Sequence, residues 1–317
     1  MGKVAFLFPG QASQYSGMGK ELAEKFPTAR AVFEEADKAL GVSVSKLCFE
    51  GTEDELKLTA NTQPCILTVS VAAARVLAEK GITPDFVAGH SLGEYSGLVA
   101  GGSLSFGDAV KLVRKRGTYM QEAVPAGQGS MAAIMGLSPT VVTDVCKRAA
   151  QGEVCSPANL NSPEQTVISG TVGAVKRAVE IASQSGAKRA VVLPVSAPFH
   201  CALMMPAQQK LEKDLSSTKF AVLQMPLVTN VDADTIQTGE EAKNALGRQV
   251  TMPVRWEESM RLLLDEGVNT FIEVGPGRVL TGLMRQIERS VTTLNVEDEK
   301  SLAATLEKIA GAKSDAA

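Results

Sequence analysis

The chain has 317 residues, 44% of them hydrophobic, with a mean hydropathy of +0.05, which suits one large domain or a domain carrying a smaller insertion. A net charge of −3 and a pI of about 5.7 argue against nucleic acid or membrane as a partner. The five cysteines, Cys48, Cys65, Cys146, Cys155 and Cys201, are scattered without a C-x-x-C pair and read as reduced thiols, not as a disulfide framework or zinc site.

The opening "MGKVAFLFPGQ" stops its apolar run at Pro9-Gly10, too soon for a signal peptide. No apolar stretch approaches the ~18 residues of a membrane span, so a soluble, cytoplasmic protein is expected. Residues 4–8 read as a buried parallel strand, followed by helical patterns over 21–40 and 64–80. "PDFVAGH" (84–90) is a short strand leading into "AGHSLGEYSG" (88–97), and a helix is expected over 93–100. "GDAVKLVRKRGTYMQEAV" reads as another helix. From 130 to 193 the order becomes strand, helix, two strands, helix, strand, with helices at 139–150 and 172–185. That is the ferredoxin-like βαββαβ unit. Helices at 207–215, 240–249 and 254–266 follow, with strands at "PLVTNV", "TFIEVG" and "VTTLNV" and a last helix from 300.

Alternating strands and helices predict a parallel-sheet, α/β-hydrolase-like core with an inserted ferredoxin-like subdomain. The division is a core over 1–127 and 196–310, an insertion over 128–195 and a disordered tail over 311–317.

Gly89-x-Ser91-x-Gly93, set between a strand and a helix, has the form of a nucleophile elbow. The bland alternative is a serine capping the helix. A serine nucleophile needs a base, and the chain has two histidines. His90 adjoins Ser91, and neighbouring side chains at a sharp turn point apart, so packing or orienting the elbow is its expected role. By elimination His200, in "SAPFHCALMM", is the base. No acidic residue stands out as a third member; Asp232 and Asp234 read as a strand-ending turn, so a Ser–His dyad is expected.

Arg116 falls on the apolar stripe of its helix with Ala109, Leu112, Val113, Met120 and Ala123. An unpaired buried guanidinium is costly, so it should meet an anion, either a carboxylate of the protein or one of the substrate. The pattern leaves both open. Gln11, in the loop "FPGQASQ", is placed to donate a hydrogen bond or a backbone N–H, or simply to form a turn.

Together, "FLFPGQASQ", "TQPCILTVS", "GHSLGEYSGL", "RKRGTYMQEAV", "NLNSPEQTVISG", "VSAPFH" and "IEVGPGRVLTGL" resemble the malonyl-CoA:acyl-carrier-protein transacylases of bacterial-type fatty acid synthesis. The resemblance covers nearly the whole chain. It implies ping-pong transfer of malonyl from malonyl-CoA, through Ser91 with His200 as base, to the phosphopantetheine thiol of an acyl carrier protein. It further implies backbone N–H groups of Gln11 and Leu92 as the oxyanion hole, Arg116 on the malonyl carboxylate, and the Gln249 carbonyl orienting His200. No permanently bound cofactor or metal, no nucleic-acid or membrane partner and a monomeric state are expected.

Two positions depart from the family pattern. Ala12 stands where a glycine is common, which strains the chain if φ is positive there. Phe199 replaces a serine found in some members and should favour malonyl over methylmalonyl. Asn159 and Asn161 are further candidates for the cleft, and Lys188 and Arg189 for contact with an acidic carrier. The competing readings are an esterase or thioesterase sharing only the elbow, an interaction module with a degenerate site, and transfer of another acyl group such as acetyl.

Overall fold

The computed structural model describes residues 2–195 and 197–314. β1 (Lys3–Phe8) is the apolar run expected, with five of its six residues buried. α1 (Lys20–Lys25) and α2 (Pro27–Leu40) replace the single helix expected over 21–40. Pro27 disfavours helical backbone at Phe26, which is extended at φ −117°, ψ 114°, and the helix breaks there. Two short helices escaped the sequence pattern, α3 (Val44–Glu50) and α4 (Glu53–Lys57), each started by a local cap. Ser43 accepts from the Lys46 N–H, and Thr52 and Glu55 form a capping box.

α5 (Thr59–Glu79) begins before Pro64, which lies inside it. Proline gives no N–H to the carbonyl of Ala60 four residues back, and Arg114 donates to that carbonyl instead at 2.7 Å. Then come β2 (Phe86–Gly89), α6 (Gly93–Ala100) and α7 (Phe106–Glu122). The next six elements are β3 (Gly129–Met135), α8 (Pro139–Ala150), β4 (Cys155–Ser162), β5 (Gln165–Thr171), α9 (Val172–Gln184) and β6 (Arg189–Val192). Their strands form an antiparallel sheet ordered β4-β5-β3-β6. Its apolar face is covered by α8 and α9 through Val142, Val145, Val175 and Ala178.

The chain continues with α10 (Met205–Ser217), β7 (Leu227–Val228), β8 (Thr235–Ile236), α11 (Gly239–Gln249) and α12 (Trp256–Asp265). It ends with β9 (Val268–Val274), α13 (Val279–Ile287), β10 (Thr292–Val296) and α14 (Glu299–Ser314). α14 carries helical backbone through residues 311–314, expected to be disordered, because its Ala- and Lys-rich sequence favours helix. Residues 315–317 of that expected tail lie outside the described residues.

The core sheet is ordered β10-β9-β1-β2-β7-β8, its first five strands parallel. β1 sits in the middle and is apolar on both faces. Val4, Phe6 and Phe8 pack into one cluster with Phe33, Leu67 and Val113, and Ala5 and Leu7 into another with Trp256, Met260 and Leu283. No helix among the described residues is long and apolar enough to cross a membrane. β4 meets the core at Val254, whose N–H donates to the Ala158 carbonyl and whose carbonyl accepts from the Leu160 N–H, both at 2.8 Å.

The elbow follows from two close approaches. A Cβ at Gly89 would fall 1.9 Å from the Gly93 carbonyl carbon, and one at Gly93 would fall 2.0 Å from the Phe8 oxygen at the end of β1. Glycine is therefore required at both positions, and the tight turn between them leaves Ser91 in left-handed backbone at φ 52°. Gly93→Ala should destabilise the fold by about 3 kcal/mol in denaturant unfolding, since α6 would have to lift off β1. An unchanged midpoint would refute this packing.

Candidate active site

The loops after β1 and β2, the helices α5, α7 and α13 and the inserted unit meet around a cavity of about 320 Å³. Ser91 and Leu92 enter from the elbow, Gln11 from the loop after β1, and His200 from the segment after β6. The β1 loop lies hard against the elbow, since a Cβ on Gly10 would be 2.4 Å from the His90 carbonyl oxygen. Ala12 does adopt positive φ, 86°, the strain anticipated for a non-glycine residue there.

The Ser91 hydroxyl lies 2.8 Å from His200 Nε2, and His200 Nδ1 lies 2.8 Å from the Gln249 carbonyl oxygen. A carbonyl only accepts, so Nδ1 carries the proton and Nε2 presents its lone pair to the serine. No third carboxylate is needed to set the tautomer. Burial, and after it the Arg116 charge, lowers the His200 pKa to about 3, so the ring is a neutral base at any ordinary pH. Like Ser91, His200 sits at positive φ, 58°.

His90 makes no bond to Ser91; its Nε2 meets Asn161 Oδ1 at 2.9 Å and its ring packs on Trp256 at 5.4 Å. Asn159 and Asn161 both line the cavity, and so does Phe199. Asp232 stays in its turn, gripped by Arg248 at 2.8 and 2.6 Å. Lys188 pairs with Glu164 at 2.7 Å, and Arg189 is exposed.

Arg116 is 1% exposed. Its Nη1 donates to Gln63 Oε1 at 2.9 Å, and its Nη2 to Ser91 Oγ and to Gln249 Oε1, each at 3.0 Å. The ring of Tyr95 lies 5.6 Å away. All three acceptors are neutral, and among the described residues no carboxylate lies within ion-pair distance of the guanidinium. Nε has no partner at all. Of the two anions the sequence left open, a direct carboxylate of the protein is absent among the described residues.

Sequence reasoning missed three residues. Asn230 accepts the Ser91 N–H on Oδ1 and donates to the Gly89 carbonyl, both at 2.7 Å, so it pins the turn from both sides. Gln63 holds Arg116. Glu94 accepts from the Gln249 side chain at 2.8 Å and from the Asn230 N–H at 2.9 Å. The Asn230 bond also explains why the strand expected over 226–231 is only two residues long: its amide goes to a carboxylate instead of a ladder. One signal was available, since Glu94 is the single charged residue of α6.

A family model described as an acyl transferase domain matches residues 5–310. The malonyl CoA-acyl carrier protein transacylase of Bacillus subtilis strain 168 is 50% identical over 303 residues, 95% of this chain and 96% of that one. The crystal structure of the malonyl CoA-acyl carrier protein transacylase of Clostridium perfringens superposes with a TM-score of 0.96 at 40% identity, covering 99% of each chain. A malonyl-transacylase solved in complex with its type II PKS acyl-carrier protein superposes with a TM-score of 0.94 at 46% identity, over 96% of this chain and 99% of that one.

A neutral His200 should keep Ser91 reactive in mild acid. Sulfonylation by the uncharged reagent phenylmethylsulfonyl fluoride should slow less than about twofold between pH 7.5 and pH 5. A histidine titrating near 6.5 would lose about 30-fold over that range, and such a loss would contradict the buried, low-pKa ring.

Proposed function

The chain belongs to the acyl transferase family, and on that footing we propose that it moves a malonyl group from malonyl-CoA to the phosphopantetheine thiol of an acyl carrier protein, through a malonyl ester on Ser91. The product, malonyl-carrier protein, is the extender unit for fatty acid chain elongation. A monomer working in the cytoplasm goes with this reading.

The Ser91 oxygen attacks the thioester carbon while its proton passes to His200 Nε2. The backbone N–H groups of Gln11 and Leu92 are assigned to the carbonyl oxygen as it gains negative charge. Leu92 is the N-cap of α6, the residue between Ser91 and the first helical position Gly93. Each such donor is worth roughly 3–4 kcal/mol of barrier. The tetrahedral adduct then expels the CoA sulfur, which leaves as the thiol with the proton held by His200. In the second half the carrier thiol gives its proton to His200 and attacks the ester, and Ser91 is released with its hydroxyl restored. The Gln249 carbonyl keeps His200 in the required tautomer through both halves.

The observation that carries the acyl-group assignment is Arg116: a buried guanidinium with only neutral partners, 3.0 Å from the nucleophile. Its planar fork suits a carboxylate at the far end of a three-carbon acyl group. An acetyl group would leave it unmatched. Phe199, 7% exposed on the cavity wall, limits room at the acyl α-carbon and favours malonyl over methylmalonyl.

Arg116→Ala should lower malonyl transfer by roughly 100- to 1,000-fold, the range expected for losing a buried charged partner, while acetyl transfer is kept or rises. Acylation of Ser91 read by intact mass, with malonyl-CoA and acetyl-CoA in parallel, checks this. Equal losses on both substrates would count against the carboxylate clamp, and rapid hydrolysis of malonyl-CoA without carrier would count against transfer.

A further inference from the structure

Glu94 has no part in the steps above, yet it lies under them. It is 1% exposed and belongs to the helix that the elbow starts. Its Oε2 accepts both of its hydrogen bonds, from Gln249 Nε2 and from the Asn230 N–H, whereas its Oε1 is buried with no partner. The same Gln249 amide turns its oxygen to Arg116 Nη2 at 3.0 Å. One amide group is thus interposed between a buried cation and a buried carboxylate, its oxygen toward the cation and its nitrogen toward the anion. The two charges are close enough to stabilise each other and are kept from closing into an ion pair that would cover the guanidinium.

We infer that Glu94 is the resident counter-anion of Arg116, and that a substrate carboxylate arriving on Arg116 displaces its charge by driving a proton onto Glu94. The inference rests on the malonyl reading. With Glu94 ionised and no substrate bound, the buried pair is neutral overall. A bound malonyl carboxylate adds one negative charge beside this buried pair, and a buried unmatched charge costs several kcal/mol unless a group neutralises it. Adding a proton to the unpartnered Oε1 does this without breaking either bond to Oε2.

The neighbouring ionisable groups do not do the job. Tyr95, on the same helix, is neutral, its pKa pushed up by burial. Asp232, in the turn after β7, is exposed and already doubly bonded to Arg248 of α11. His200 is held neutral by burial, and Arg116 is the charge being answered. Glu94 itself is pushed by burial to about 7, against the pull of the Asn230 and Gln249 bonds and of Arg116, so the proton is exchanged in the working range. The sign follows. Below that pH Glu94 is protonated and Arg116 is fully available; above it, the ionised carboxylate competes with the substrate, and malonyl binding weakens.

Initial rates of Ser91 acylation by malonyl-CoA and acetyl-CoA, for the intact enzyme and for Glu94→Gln between pH 6 and 8.5, test this positioning role. Glutamine keeps an oxygen for both donors and mimics the protonated state. The malonyl KM of the wild type should rise roughly tenfold across the range, as one unit of coupling requires, with the acetyl KM flat. In Glu94→Gln the malonyl KM should stay low and flat. An equal pH slope in wild type and variant, or acetyl following malonyl, would overturn the inference. Absence of a malonyl-serine in the wild type at every pH would instead remove the malonyl reading, and this inference with it.

A second measurement is independent of that variant's folding. Malonyl-CoA titrated into Ser91→Ala at pH 7.5, in two buffers of different ionisation enthalpy, should take up about half a proton more than acetyl-CoA does. No difference between the two ligands would also overturn it.

Discussion

Gln249 is the group on which the site turns. Its backbone carbonyl sets the His200 tautomer, and its side chain touches Arg116, Glu94 and the Ser91 carbonyl at 3.0, 2.8 and 3.0 Å. One residue at the C-terminal end of α11 therefore links His200, the Arg116 guanidinium and the Ser91 backbone. Because its amide is bonded at both ends, its oxygen and nitrogen cannot exchange places without losing several bonds at once. Buried polar networks are stable only when nearly complete, and here the two charged residues this amide joins each keep a buried atom without a partner, Arg116 Nε and Glu94 Oε1.

The sheet supplies the rigid frame for that network. β1 and β2 end in register, Phe8 beside Gly89, and the His90 N–H continues the ladder to the Phe8 carbonyl at 2.9 Å. The elbow is thus an extension of the two most buried strands. Asn230 ties β7 to the same turn, so three strand ends fix the position of one hydroxyl. The ferredoxin-like unit contributes the opposite wall of the cavity with Met131, Ala133 and Val167. It meets the core backbone-to-backbone at Val254, five residues beyond Gln249.

Much of this was legible in the sequence, for reasons that are local. A continuous apolar run marked β1, and the βαββαβ order appeared as a change of rhythm near residue 130. Scarcity identified His200, since only two histidines were available, and an arginine on an apolar stripe singled out Arg116. What stayed hidden depends on partners far along the chain. Asn230 bonds Glu94 across 136 positions and Gln249 bonds it across 155. Nothing in "TNV" announces that its amide will abandon the strand for a carboxylate. The start of α5 differs from the expected 64 for the same reason: the donor that makes Pro64 tolerable mid-helix is Arg114, on another helix. The helix break at Phe26 was different, since Pro27 was in plain view and the apolar periodicity across it was simply the weaker signal.

Ser91 and His200, hydrogen-bonded to each other at 2.8 Å, both occupy left-handed backbone, at φ 52° and 58°. Side chains branched at Cβ are outliers in that region, whereas unbranched ones are tolerated. The choice of side chain at position 91 is therefore constrained by backbone shape before chemistry is considered. Threonine carries the same hydroxyl as serine, but its extra methyl is incompatible with the turn that presents it. Cysteine, unbranched, is the chemically competent neighbour the turn admits. Evolution at this elbow can change the atom that attacks more readily than it can add a carbon beside it.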